Sequence, residues 1–160
     1  MDKSLESIIR EYDALGSQSP IMGELLRTGK ERAESVQRLR GAYVGLKEAI
    51  STGDISALED ILLHKGLSSE ERLAVLNHQE KASGDTILHW AGVFNREKMV
   101  DMLVELGARV DLRNSEGRTP AEWARAKLII RYGKVEDAPS GARNTYHRLA
   151  TLESIMAVRR

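Results

Sequence analysis

The chain contains no cysteine, which excludes disulfide bonds and thiolate metal sites without assigning a compartment. Aromatic side chains are scarce, with one phenylalanine, two tryptophans and four tyrosines among 160 residues. No charge of either sign is in excess, since 24 basic residues balance 24 acidic ones. Nucleic-acid-binding proteins usually carry a basic excess, so this balance argues against nucleic acid as the partner.

Long hydrophobic runs are also missing. Ile61-Leu62-Leu63 and Leu128-Ile129-Ile130 are far too short to cross a bilayer. The first residues, Met1-Asp2-Lys3-Ser4, lack the apolar core of a signal peptide. The sequence therefore predicts a cytoplasmic protein without a membrane partner, while export by a route that needs no N-terminal signal stays open.

Patterns that would indicate catalysis or cofactor binding are missing too. The segment from Gly23 to Gly29-Lys30 has five residues between its glycines, and Glu31 stands where a phosphate-binding loop needs Ser or Thr. The histidines form no i, i+4 pair on one helix, so they suggest no metal site; they are His64, His78, His89 and His147. The sequence predicts no catalytic residue, no cofactor and no metal.

One eight-residue pattern occurs twice at a separation of 33 positions, which is typical of stacked repeats. The two copies are Gly84-Asp85-Thr86-Ile87-Leu88-His89-Trp90-Ala91 and Gly117-Arg118-Thr119-Pro120-Ala121-Glu122-Trp123-Ala124. They resemble the ankyrin repeat, whose motif reads G-x-T-P-L-H-x-A-A and whose second helix ends in L-L-x-x-G-A. Residues 99–108 are similar to that second half. The resemblance implies an all-α fold, a short ankyrin-repeat solenoid with helical N- and C-terminal caps.

The resemblance and the apolar patterns together predict three regions. These are N-terminal capping helices over 1–35, ankyrin-like repeats over 36–134, and a loop with a C-terminal capping helix over 135–160. The middle region divides into a degenerate repeat 36–66, an elaborated connector 67–83, a repeat 84–116 and a partial repeat 117–134. The degenerate repeat has one residue more between Ala49 and Gly66 than the next repeat has between Ala91 and Gly107.

Apolar spacing predicts helices at both ends of the repeats. A stripe from Leu5 to Leu15 and a start at Ser19-Pro20 predict two short N-terminal helices. A longer helix over about 30–50 carries Val36, Leu39, Tyr43, Leu46 and Ile50 at steps of three and four. That spacing fits either a coiled-coil seam, for which about two heptads are too few, or a helix packed on the solenoid. We favour the second because the last part of the helix also fits an ankyrin pattern. A final helix from about Asn144 is expected to supply the second helix that the partial repeat lacks.

Several motif residues have predicted structural roles. Thr86 and Thr119 can cap helices, and a capped short helix should open at Ser68. Asn95 stands where the family usually has glycine, and it tolerates a positive φ better than other non-glycine residues. The resemblance implies that His89 bonds the motif threonine and the neighbouring turn.

The resemblance also implies a partner surface on the concave face and the turn tips. Trp90 and Trp123 fit either core packing or partner contact, and Phe94 with Val93 fills slots that vary in the family. A basic cluster of Arg125, Lys127, Arg131 and Lys134 beside Tyr132 suits either an acidic or phosphate ligand or a solvated helix end. The candidate partner-binding residues are Asp85, Trp90, Val93, Phe94, Ser115, Glu116, Arg118, Trp123 and Lys127.

The sequence thus predicts a non-catalytic protein–protein interaction module that is a monomer rather than a homodimer. One alternative assigns dimerisation or docking to residues 1–50, with the repeats as a scaffold. Another is a secreted bacterial effector or adaptor acting on host proteins, which rests on analogy at the level of the fold.

Overall fold

The structure, a computed structural model, describes residues 29–64 and 66–159. These residues form α-helices joined by turns, which confirms the predicted all-α fold. The helices are α1 (Gly29–Thr52), α2 (Ile55–Glu59), α3 (Ser69–Leu76), α4 (Ile87–Val93), α5 (Glu97–Glu105), α6 (Pro120–Tyr132) and α7 (Ser140–Val158). The two helices predicted before residue 29 lie outside the described residues.

The helices pack as a short array. The row α1, α4, α6 forms one layer, in which α1 contacts α4 and α4 contacts α6. Helices α2 and α5 each pack against the helix that precedes them in that row. Helix α7 contacts α5 and α6, which is the place that the second helix of a further repeat would occupy. It therefore serves as the predicted C-terminal cap, although it begins at Ser140, directly after Pro139, rather than near Asn144.

One hydrophobic core runs through the array from α1 to α7. Fully buried side chains from both ends belong to it, including Leu39 and Leu46 of α1 and Leu149 of α7. Because the apolar stripe of α1 is buried in this core, the long helix packs on the solenoid and forms no coiled-coil seam. A smaller cluster around Leu128 joins the end of α6 to the start of α7.

The extra residue between Ala49 and Gly66 has a structural explanation. Helix α2 continues into a π-helical turn, Asp60–His64. A π turn accommodates one inserted residue within a helix while its neighbours keep their faces. Ile61 and Leu62 within the turn stay buried in the core. The insertion is thus absorbed without loss of packing.

The turns inside neighbouring hairpins are alike. Gly53 and Asn95 occupy corresponding positions, with φ of 79° and 60°. The positive φ predicted for Asn95 is thereby confirmed. Arg96, which follows, donates from Nε to the Ile50 carbonyl at 2.9 Å and from an Nη atom to the Ser51 carbonyl at 2.8 Å. These bonds satisfy carbonyls at the end of α1 and fasten one hairpin to the next.

Helix starts follow the predicted capping pattern. Ser68, Thr86 and Thr119 each accept a hydrogen bond from the backbone N–H three residues later, and each belongs to a reciprocal capping box. The turn that leads into α4 requires glycine at position 84. Its φ is 68°, and a Cβ there would lie 2.7 Å from the backbone nitrogen of Ser115 in the next turn.

Candidate functional site

The two tryptophans lie at corresponding positions on packed neighbouring helices, Trp90 on α4 and Trp123 on α6. The same offset of 33 residues relates Phe94 to Lys127. One repeat therefore presents two aromatic side chains where the next presents an aromatic and a cation. We name this surface the tryptophan face, and its side chains are Lys47, Trp90, Phe94, Arg118, Trp123 and Lys127.

The part of the tryptophan face on α4 is tightly held. The rings of Trp90 and Phe94 stack with centroids 5.9 Å apart and planes 16° apart. The Lys47 ammonium lies 4.0 Å from the centroid of the Trp90 ring, close enough for a cation–π contact. Both aromatic side chains are partly buried and pack against the main core. Trp90 and Phe94 therefore contribute to the packing of the array as well as to its surface.

Glu80, in the connector, organises this part of the surface. One of its carboxylate oxygens accepts bonds from the Tyr43 hydroxyl at 2.6 Å, the Lys47 ammonium at 2.7 Å and Trp90 Nε1 at 3.1 Å. Burial raises the pKa of Glu80, but the bonds from Lys47, Tyr43 and Trp90 together outweigh it and the net pKa is lowered. The carboxylate is thus kept charged.

The sequence did not identify Tyr43, Lys47 or Glu80 as site residues. Tyr43 and Lys47 are one helical turn apart on α1, and this i, i+4 pair is the only local signal. Glu80 belongs to a segment without a repeat motif, and its partners on α1 are distant in sequence. Tyr43, Lys47 and Glu80 come together only because the connector packs on α1.

The part of the tryptophan face on α6 is more polar. The Trp123 ring has two cations near it, the Lys127 ammonium at 4.3 Å and the Arg118 guanidinium at 5.5 Å from the ring centroid. Arg118 also pairs with Glu116 at 3.0 Å. Trp123 is partly exposed and Lys127 is exposed. These four predicted site residues therefore lie together.

The turn before α6 is ordered by Asn114. Its Oδ1 accepts bonds from the backbone N–H groups of Glu116 at 3.0 Å and Arg118 at 3.1 Å. Ser115 and Glu116 are exposed at the tip, as expected. Asp85 is different: it was expected at a protruding tip, but it is buried, because its carboxylate accepts a 2.9 Å bond from the Asn114 amide. Asp85 therefore holds two turns together.

His89 has the structural role that the resemblance implied. Its Nδ1 accepts the backbone N–H of Thr86 at 3.0 Å, and its Nε2 lies 2.9 Å from the Arg118 carbonyl. A carbonyl only accepts, so Nε2 carries the proton of the neutral ring. Burial lowers the pKa of His89, and the opposing effects of the Arg118 carbonyl and Asp85 are smaller.

The remaining predicted residues are less closely associated. Val93 is partly buried at the end of α4. In the basic cluster, the Arg131 guanidinium lies 5.7 Å from the centroid of the Tyr132 ring. Among residues 29–64 and 66–159, no three His, Asp or Glu side chains lie together as metal ligands would. No helix in the same part of the chain is long and apolar enough to cross a membrane.

The repeat architecture agrees with the family comparison. Residues 83–115 match the family model of the ankyrin repeat, which confirms the predicted resemblance. The match covers α4, α5 and the turn that follows them. Ankyrin repeats are non-catalytic units that generally mediate protein–protein interaction.

Three curated proteins are similar in sequence to parts of this chain. Protein glp-1 of Caenorhabditis elegans is 31% identical over 87 residues, 52% of this chain and 7% of that protein. E3 ubiquitin-protein ligase Ufd4 of Drosophila melanogaster is 26% identical over 133 residues, 71% of this chain and 5% of that protein. Palmitoyltransferase ZDHHC13 of Homo sapiens is 38% identical over 64 residues, 38% of this chain and 10% of that protein. The chain thus spans only a small part of each relative's length.

Proposed function

We propose that this chain is a non-catalytic module that binds a protein partner through the tryptophan face and the adjacent turn tip at Ser115 and Glu116. The observation that carries the proposal is the arrangement around Trp123. A partly exposed indole lies next to two cations on a helix that the core holds in place. Tryptophan and arginine are the side chains that most often dominate the energy of protein interfaces.

The α4 part of the face supports the same function. The stack of Trp90 on Phe94 and the bond from Trp90 to Glu80 hold the aromatic side chains in one arrangement before a partner binds. A surface that is already ordered loses less conformational entropy on binding, so more of the contact energy appears as affinity. The apolar stripe of α1, by contrast, is buried in the core and is not available for docking.

The proposal assigns no catalytic residue, cofactor or metal to the chain. The monomeric state, the cytoplasmic location and the limits of the individual repeat units stay predictions. No observation in the described residues favours a separate docking function for 1–50 or action on host proteins.

Capture experiments with matched variants test the proposal. Tagged wild type, the double variant Arg118→Ala/Trp123→Ala and the control Arg125→Ala are exposed to the same lysate, and bound proteins are quantified by mass spectrometry. Arg125 is exposed and follows Trp123 by two residues. Because two residues turn a helix by about 200°, Arg125 lies on the side of α6 opposite to Trp123. Proteins retained by wild type and control should be lost from the double variant. With a purified partner the loss should reach about 2 kcal/mol or more.

A folding measurement and a second variant separate loss of binding from loss of folding. Circular dichroism must show that the double variant keeps its helix content. If it does not, Glu116→Ala/Arg118→Ala replaces it, since Glu116 is exposed, Arg118 is partly exposed and neither belongs to the hydrophobic core. Equal capture by a folded variant and by wild type would reject the tryptophan face as the binding surface.

A further inference from the structure

The charges on the tryptophan face are unevenly neutralised, and this indicates what binds there. We propose, building on the function above, that the partner presents an acidic segment in extended conformation. Carboxylates on alternate residues contact Lys127 of the tryptophan face and Arg131, which lies one helical turn beyond it on α6. An apolar side chain of the same segment rests on Trp90 and Phe94.

The cation on the α4 side already has a carboxylate partner. Lys47 pairs with Glu80 at 2.7 Å, and the same oxygen accepts from Tyr43 and Trp90. The α4 side therefore presents aromatic surface with its positive charge compensated. An apolar side chain of the partner is the group that gains most from contact with such a surface.

Two cations on α6 itself have no such compensation, unlike Arg118, which pairs with Glu116. Lys127 and Arg131 are exposed, and within the described residues each contacts an aromatic ring and forms no ion pair. The single carboxylate of α6, Glu122, is engaged by Arg113 at 3.0 Å and by the Thr119 backbone N–H at 3.1 Å. Positive charge is thus concentrated along one ridge of α6, formed by Lys127 and Arg131. These two cations are available to pair with carboxylates of a partner.

The spacing of these cations favours carboxylates over a single phosphate. Lys127 and Arg131 are one helical turn apart, a rise of about 6 Å. Alternate side chains of an extended peptide point the same way and are separated by about 7 Å. Two cations at that spacing match two carboxylates, whereas tight phosphate binding requires several donors that converge on one point.

Selection from a random peptide library displayed on phage tests this inference. Peptides enriched on wild type should carry an acidic residue, any residue, a second acidic residue and a nearby apolar side chain. A synthetic peptide of the enriched sequence should bind Lys127→Gln/Arg131→Gln about tenfold more weakly than wild type. Arg125→Gln, the matched control on the opposite side of α6, should stay within about twofold. Higher salt should weaken wild-type binding and affect the double variant less.

The outcomes separate this inference from the proposed function. If the enriched peptides need Trp123 for binding but show no preference for acidic residues, the proposal of an acidic segment is overturned, while the tryptophan face remains the binding surface. A selection without Trp123-dependent peptides would overturn both. Self-association in analytical ultracentrifugation that Lys127→Gln/Arg131→Gln abolishes would instead assign the ridge to a second copy of this chain. Binding of phosphatidylserine vesicles that the same variant loses, without peptide binding, would assign it to a lipid surface.

Discussion

At the scale of single residues, His89 connects the parts of the array most directly. Its ring joins the first turn of α4 to the backbone at Arg118, and Arg118 in turn contacts Trp123. Both ring nitrogens are used in the neutral form. A second proton on Nδ1 would place a donor against the Thr86 N–H, so protonation requires that this bond breaks. The buried ring thereby makes the stability of the array depend on pH.

The direction of that dependence follows from the lowered pKa of His89. In the unfolded chain the ring titrates near its ordinary value of about 6.5. Above this pH the His89 ring is neutral in both the folded and the unfolded chain, and its full contribution to stability is present. As the pH falls below this value, the ring gains a proton only in the unfolded chain, and stability is lost. Urea denaturation should therefore show a lower free energy of unfolding at pH 5.5 than at pH 7.5. These two conditions lie about one pH unit below and above the ordinary histidine pKa of about 6.5.

Substitution of the histidine should remove this effect. His89→Ala should lower the free energy of unfolding at the higher pH by about 2 kcal/mol, since it leaves buried polar groups without partners. It should also flatten the pH dependence, whereas His64→Gln, at an exposed position in the π turn, should keep it. An unchanged slope in His89→Ala would assign the effect to other groups. Glu80, with its lowered pKa, loses its contribution only in the more acidic carboxylate range.

The role of a residue could be predicted from the sequence when its hydrogen-bond partners are close to it along the chain. The caps at Thr86 and Thr119 and the positive φ of Asn95 involve neighbours within one helical turn, so the sequence was sufficient for them. Tyr43 and Glu80 are separated by 37 residues, and Asp85 and Asn114 by 29. Contacts of that separation leave no local pattern, which is why the Glu80 hydrogen bonds were missed and Asp85 was wrongly expected to be exposed.

At the scale of elements, α7 illustrates how a helix outside the repeat motif is held against the array. Its Glu153 accepts a 3.1 Å bond from the hydroxyl of Thr119, the residue that caps α6. Burial raises the pKa of Glu153; the Thr119 bond opposes this, and nearby Glu122 adds to it. Arg148 of α7 pairs with Asp101 of α5 at 2.5 Å. The helix is thus fastened to both of its neighbours, α5 and α6.

The docking of α7 should depend chiefly on Leu149. This side chain is fully buried, and one of its methyl groups lies so close to Gly92 of α4 that a Cβ there would be 2.8 Å away. Leu149→Ala should therefore lower the free energy of unfolding by about 3 kcal/mol through lost burial and a cavity. Ile155→Ala, on the same helix but 42% exposed, should cost less than about 1 kcal/mol. Urea titration followed by circular dichroism measures both, and equal losses would contradict this account.

At the scale of the whole molecule, the array is short and its core is shared. In long repeat proteins each unit contacts only its neighbours, so parts of the array can unfold separately. Here one core cluster includes residues from α1 through α7, and α7 contacts α4, α5 and α6. With so few units, the loss of one hairpin exposes apolar surface on the rest. We therefore expect the described array to unfold as one cooperative unit.

The two tryptophans offer a direct measurement of this cooperativity, because they lie on different helices of the row. In Trp123→Phe only Trp90 on α4 reports by fluorescence, and in Trp90→Phe only Trp123 on α6 reports. Trp90→Phe also loses the bond to Glu80, so the two variants should differ in stability by about 1 kcal/mol. Each fluorescence transition is therefore compared with the far-ultraviolet circular dichroism transition of the same variant. Coincident midpoints in both variants are expected for two-state unfolding. A Trp123 transition that precedes the loss of helix would show that α6 and α7 detach from the array before it unfolds.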